Sequence, residues 1–159
     1  MSSSALQKNP RRHVGSRWLL LLMTLSVLAV GCGPTAPKTI KVNGMVTYNG
    51  EKLKQGMISF SPTSINPGEP MRPVAVNLDG EGNFTLSTFA PGDGILPGEY
   101  AVSIISYEVP PSLGAIGKEV WAIPRKYGDP QLSGLKAVIK EDDHEPLELD
   151  FDLVGEKNK

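Results

Sequence analysis

Beyond residue 39 the chain alternates apolar and polar positions with a period of two, the spacing of half-buried β-strands. Ile40, Val42, Val46 and Tyr48 fall on one face of a first strand. Asn49-Gly50 follows, and both residue types tolerate positive φ, so a tight turn is predicted there. Ile58 and Phe60 alternate next, up to Pro62; residues 63–72, with two prolines and a glycine, read as a loop. Val74, Val76 and Leu78 make another alternation, and Asp79-Gly80-Glu81-Gly82-Asn83 turns the chain into Phe84 and Leu86. Pro97-Gly98 precedes Tyr100, Val102 and Ile104; later Leu135, Ala137 and Ile139 alternate, as do Leu147, Leu149, Phe151 and Leu153. About seven strands bounded by turns predict an all-β fold, a seven-stranded antiparallel β-sandwich. The best helical candidate, residues 117–127, is interrupted by Pro124. Long helical crossovers are absent, so parallel strands are not expected. In the last strand Glu148, Asp150 and Asp152 oppose Leu149, Phe151 and Leu153, a row of acids that discourages edge-to-edge pairing.

One apolar run has a different character. Residues 18–30 are continuously apolar apart from Thr24 and Ser26, and Lys8, Arg11, Arg12 and Arg17 precede them with no acid among them. A basic segment, a short apolar core and small residues at a cleavage point make a secretory signal peptide. The 13 residues are too few for a spanning helix, which needs roughly 20. Cys32, the single cysteine of the chain, stands just after Leu28-Ala29-Val30-Gly31. This arrangement resembles the bacterial lipoprotein signal, in which cleavage between Gly31 and Cys32 leaves a lipidated cysteine as the mature N-terminus. Ala29 departs from the pattern, which most often has Leu there. An ordinary secretory signal, with Cys32 an incidental thiol, is the alternative. Three acyl chains would anchor firmly, because each buried methylene adds about 0.8 kcal/mol. Gly33 rather than an aspartate follows the cysteine, which points to the outer membrane in a cell that has one, facing the periplasm or the cell surface.

The division that follows is a signal peptide over residues 1–31, a lipidated cysteine and short extended tether over 32–38, a β-sandwich over 39–154 and a tail over 155–159. Cleavage leaves 128 residues, enough for one domain. It removes four of the 16 cations and none of the 17 acids, so the mature net charge is about −5. That balance argues against nucleic acid and against a polybasic membrane patch. With no second cysteine, no intramolecular disulfide supports the fold, and packing must do so.

Several turn motifs coincide in order. Val42-Asn43-Gly44-Met45-Val46, Asn49-Gly50 and then Leu53, Gly56, Ile58 and Phe60 resemble the start of the carboxypeptidase regulatory-like family, whose fold is transthyretin-like. Residues 79–84 resemble its D-x-x-G-x-F turn, and Leu96-Pro97-Gly98-Glu99-Tyr100-Ala101-Val102 its L-P-P-G-x-Y-x-V signal with one proline missing. Ile123-Pro124-Arg125-Lys126-Tyr127 and Ser133-Gly134-Leu135 are similar to the later part of small exported lipoproteins of this kind. The resemblance covers about residues 39–154 and implies a seven-stranded sandwich, usually non-catalytic, serving as a structural or binding module. Each motif also has a purely structural reason: Gly98 for a tight entry into a strand, Asp79 to cap its turn, and Tyr100 to bury its ring with the hydroxyl kept wet.

Candidate chemistry is sparse. Hydroxyisourate hydrolases, which share the transthyretin fold, use paired histidines, an arginine and a Tyr-Arg-Gly-Ser terminus. Here His144 stands alone after cleavage and the chain ends Gly155-Glu156-Lys157-Asn158-Lys159. No catalytic residue, metal site or cofactor is assigned. Glu141-Asp142-Asp143-His144-Glu145 reads as a solvated hairpin connection from Ile139 to Leu147, with His144 exposed, rather than a Ca²⁺ loop, whose alternating ligands and glycine it lacks. Residues 108–132 are long for a connection, and long loops often carry function. Trp121, Arg125 and Tyr127 are the candidate ligand-binding residues there, able to stack on a glycan or on an envelope protein; the alternative is that Trp121 and Tyr127 fold back over the sandwich end.

Overall fold

The computed structural model describes residues 37–64, 71–112 and 119–156. Cys32 and the residues expected to form a signal peptide lie outside the described residues. Two layers of sheet make up the fold. The first is centred on β1 (Val42–Tyr48), with β2 (Glu51–Lys52) and β5 (Asn83–Thr85) antiparallel to it, and β10 (Leu147–Glu148) and β11 (Phe151–Leu153) parallel to it. The second runs in the order β4 (Val74–Asn77), β3 (Met57–Pro62), β6 (Gly98–Ile105), β9 (Leu135–Ile139), all antiparallel. The all-β sandwich is therefore as the alternation predicted, with β2 a stub and β10 and β11 two halves of one interrupted strand.

The parallel pairing of β1 with β10 and β11 departs from the antiparallel expectation. Parallel neighbours need a long connection, and here the whole domain between residues 48 and 147 supplies it. β10 and β11 keep one register against β1, Val42 opposite Leu147 and Val46 opposite Phe151. Between them the Asp150 carboxylate, rather than a backbone carbonyl, accepts from Met45 N–H at 2.9 Å. Gly44 sits opposite this interruption: a Cβ there would lie 1.9 Å from the Leu149 carbonyl oxygen, so only glycine fits.

The two inner faces meet through aromatic rings. Phe60 and Tyr100 come from the second layer, Phe84 and Phe151 from the first, and Phe60 touches the other three with centroids 6.0–6.3 Å apart. Ile40, Val42, Val46, Ile58, Leu86, Val102, Ile104 and Leu153 complete a fully buried core. The predicted turns have local causes. Asn49 and Gly50 both take positive φ, 51° and 83°. Asp79 accepts from the backbone N–H of Glu81 and Asn83, each at 2.8 Å, and from the Asn83 amide at 3.0 Å.

Tyr100 corrects one expectation. Its hydroxyl is not wet: it is buried and donates to the Leu96 carbonyl at 2.8 Å, tying the strand to the corner four residues upstream. Burial pushes the phenol up to about 12. Nor is the 141–145 run a hairpin. β9 belongs to one layer and β10 to the other, so the run crosses between sheets, and Asp143 caps it by accepting from Lys140 N–H at 2.8 Å. The helical candidate also gives way: Val120–Trp121 form strand β8 and Arg125–Gly128 a single 3-10 turn. Gly155 is held by Tyr48 and Asn49.

Candidate functional site

The strand directions give the domain two ends. Lys38, Ile40, Ile95, Gly98, Ile139 and Leu147 gather at one, through the Ile40–Ile95 bridge, the Lys38 ammonium on the Glu141 carbonyl, and the pairings Gly98–Ile139 and Val42–Leu147. At the other end lie the 55–57 segment, the C-terminal end of β6 and everything described from 107 to 128. Eight residues of β6 separate them, roughly 25 Å at about 3.3 Å each.

At this second end the chain leaves β6 through Ser106, which is buried and donates to the Gln55 carbonyl at 2.7 Å; Gln55 Nε2 returns a bond to the Tyr107 carbonyl at 2.8 Å. These bonds set the base of a short hairpin, β7 (Tyr107–Val109) with β8, in which Tyr107 faces Trp121 and Val109 faces Val120. The Tyr107 and Trp121 rings lie 4.6 Å apart at 57°. Gly128 lets the indole settle against the 3-10 turn, since a Cβ there would fall 2.7 Å from it. Trp121 Nε1 is buried and has no hydrogen-bond partner among the described residues.

The three residues singled out from the sequence have different fates. Arg125 is exposed; it pairs with Glu119 at 2.9 Å and lies 5.5 Å from the Trp121 ring centroid. Trp121 is half-buried beside Tyr107. Tyr127 is only 5% exposed, and its hydroxyl donates to the Val154 carbonyl at 2.9 Å and accepts from Val154 N–H at 3.1 Å. Tyr127 thus folds back into the core. Trp121 and Arg125 come together; Tyr127 faces away from them into the sandwich.

Tyr107 was not singled out in the sequence. It forms one wall of an open cleft of about 400 Å³ with Pro110, over a floor that includes Met57 and Ile105 and a far side bearing Asn77 and Gln55. Met57 pairs with Asn77 on one side and Ile105 on the other, so a row across β4, β3 and β6 forms the floor. A second open cleft, of about 330 Å³, adjoins it at Asn77 and runs along the Asp79 turn to Thr85. The signal for Tyr107 was its position: alternation along β6 points even residues inward, so an aromatic at 107 stands outside the core.

Two carboxylates are held below the usual aspartate range. For Asp79 the Asn83 side-chain amide is the main cause, with backbone N–H groups adding to it. For Asp93 burial pushes upward, but N–H groups of Thr88, Phe89 and Ala90 at 2.7–2.9 Å outweigh it. Both are turn caps whose oxygens are spent on their own loops. His144 is exposed. Among the described residues no group of three or more metal-ligating side chains occurs, and no helix is long and apolar enough to cross a membrane.

No protein-family model matches the chain. No curated protein matches it either. Among solved structures it is similar to the major pilin subunit of Bacillus cereus, with 14% identity, 77% of this chain and 31% of that one covered, and a TM-score of 0.38. A 9R-lipoxygenase from Cyanothece gives 14% identity, 87% and 20% coverage and a TM-score of 0.33. The dioxygenase domain of a dioxygenase carbohydrate-binding protein fusion from Streptomyces gives 17%, 79% and 86%, with a TM-score of 0.34. The chain spans about a third or less of the first two. Similarities this low carry no argument about this chain.

Proposed function

We propose that this protein is an exported lipoprotein whose β-sandwich serves as a non-enzymatic structural or protein-interaction module of the cell envelope, held to the membrane by lipid on Cys32. The carrying observation is the placement of the single cysteine directly after a basic segment and a 13-residue apolar core. The fold supports it: the polar side chains with the most hydrogen bonds, Asp79 and Asp93, hold loops, and the core is knit by aromatic packing. Its partners are the membrane, through the lipid, and an envelope protein. Cys32→Ser tests the reading directly. The variant is expected to lose lipid labelling and to be released from membranes as a soluble domain; labelling that persists overturns it.

A second reading, recognition of a carbohydrate or another envelope ligand through residues 108–132, is favoured by the Tyr107–Trp121 ring pair at an exposed end of the domain. Tyr127 is a poor probe of it, because its truncation would open the core.

A further inference from the structure

We propose that the cleft between Tyr107 and Asn77 is a binding site for a neutral oligosaccharide. The inference rests on the second reading above. The cleft lies at the end of β6 opposite the Ile40–Ile95 bridge.

The lining argues for the ligand class. A saccharide offers a face of C–H groups and a rim of hydroxyls, and it is matched by an aromatic ring beside amides. Tyr107 supplies the ring. Trp121 buttresses it at 4.6 Å and is not itself part of the cleft, so the ring is held in place before any ligand arrives. The Asn77 amide is exposed at the end of β4 and makes no side-chain hydrogen bond among the described residues, leaving two donors and an acceptor for hydroxyls. Gln55 spends one of its two amide N–H groups on the Tyr107 carbonyl and so helps to fix the wall, keeping the other N–H and its carbonyl oxygen beside Asn77. Among the described residues the one charged side chain lining the cleft is Glu108, a carboxylate, and no lysine, arginine or histidine lines it, so a phosphate, sulfate or uronate would be repelled rather than held. At about 400 Å³ and open on one side, it would take one or two sugar rings of a longer chain.

The test uses the full lipidated chain in nanodiscs of phosphatidylcholine. It is screened against immobilised neutral oligosaccharides and uronate-containing ones, and affinities are then measured for any binder. A neutral oligosaccharide is expected to bind, weakened about tenfold or more by Tyr107→Ala and several-fold by Asn77→Ala, with Tyr107→Phe within about threefold of the parent. Asn77 is exposed at a strand end, so its variant keeps the test decisive if Tyr107→Ala fails to fold. Binding that is untouched by both substitutions but lost in Arg125→Ala overturns the cleft while leaving the second reading standing. Binding of uronates alone overturns the neutral class. No binding of any oligosaccharide at about 10 mM overturns the cleft proposal and the carbohydrate form of the second reading.

Discussion

Phe60, Phe84, Phe151 and Tyr100 hold the two layers of the sandwich together, whereas Tyr107 and Trp121 join a short hairpin to one end of it. The interior rings are buried, and the single polar atom among them, the Tyr100 hydroxyl, has the Leu96 carbonyl as its partner. The outer pair is half-exposed, carries a guanidinium over the indole and keeps an indole N–H with no partner among the described residues. Satisfied and enclosed rings serve stability. An unsatisfied, half-open pair costs stability, and a fold tolerates that where something else is gained, such as a surface held ready for a ligand.

The comparison is broken most forcefully at Phe60. Phe60→Ala removes the ring that touches the other three and is expected to cost about 3–5 kcal/mol in chemical denaturation; a cost near 1 kcal/mol would show that the cluster is not what joins the layers. Tyr100→Phe strands the buried Leu96 carbonyl and is expected to cost about 1–2 kcal/mol. It also has a pH signature. The phenol of Tyr100 is raised to about 12 in the folded state from 10.0, so its contribution is complete below pH 10 and lost as pH rises towards 12. The parent should therefore lose on the order of 2–3 kcal/mol across that window, a loss that Tyr100→Phe lacks. Trp121→Phe gives the smallest effect. It keeps a ring against Tyr107 and deletes the unpaired N–H, so stability should change by less than about 1 kcal/mol by thermal melt. A large loss would mean that the indole is as structural as Phe60.

Much of the fold was legible in the sequence because its signals are local. Alternation along Val74-Ala75-Val76-Asn77 or Phe151-Asp152-Leu153 is a property of neighbouring residues, and the Asp79 turn closes within four. The Tyr100 hydroxyl was misjudged although its partner is only four residues away, since whether a hydroxyl meets water or a carbonyl depends on how the corner packs. The connection at 141–145 was taken for a hairpin because two strands close in sequence ordinarily pair; here each found its partner elsewhere, β9 on β6 and β10 on β1. Of the candidate site, Trp121 and Arg125 were visible as an aromatic and a cation in a long connection. Tyr107, Gln55 and Asn77 were not, because no spacing links residues 55, 77 and 107.

The amino-acid sequence alone determined the strand-and-turn alternation, the separation of a short apolar run from a net-acidic remainder, and the placement of the one cysteine. Periodicity, charge and residue counts follow from the order of the residues, whatever the chain's path in space. Only the tertiary structure decided that β1 runs parallel to the last strand, that Tyr127 packs inward, and that the chain enters the domain at one end with the cleft at the other. Each of those depends on contacts between residues 27–105 apart in sequence, and such contacts leave no trace in local pattern.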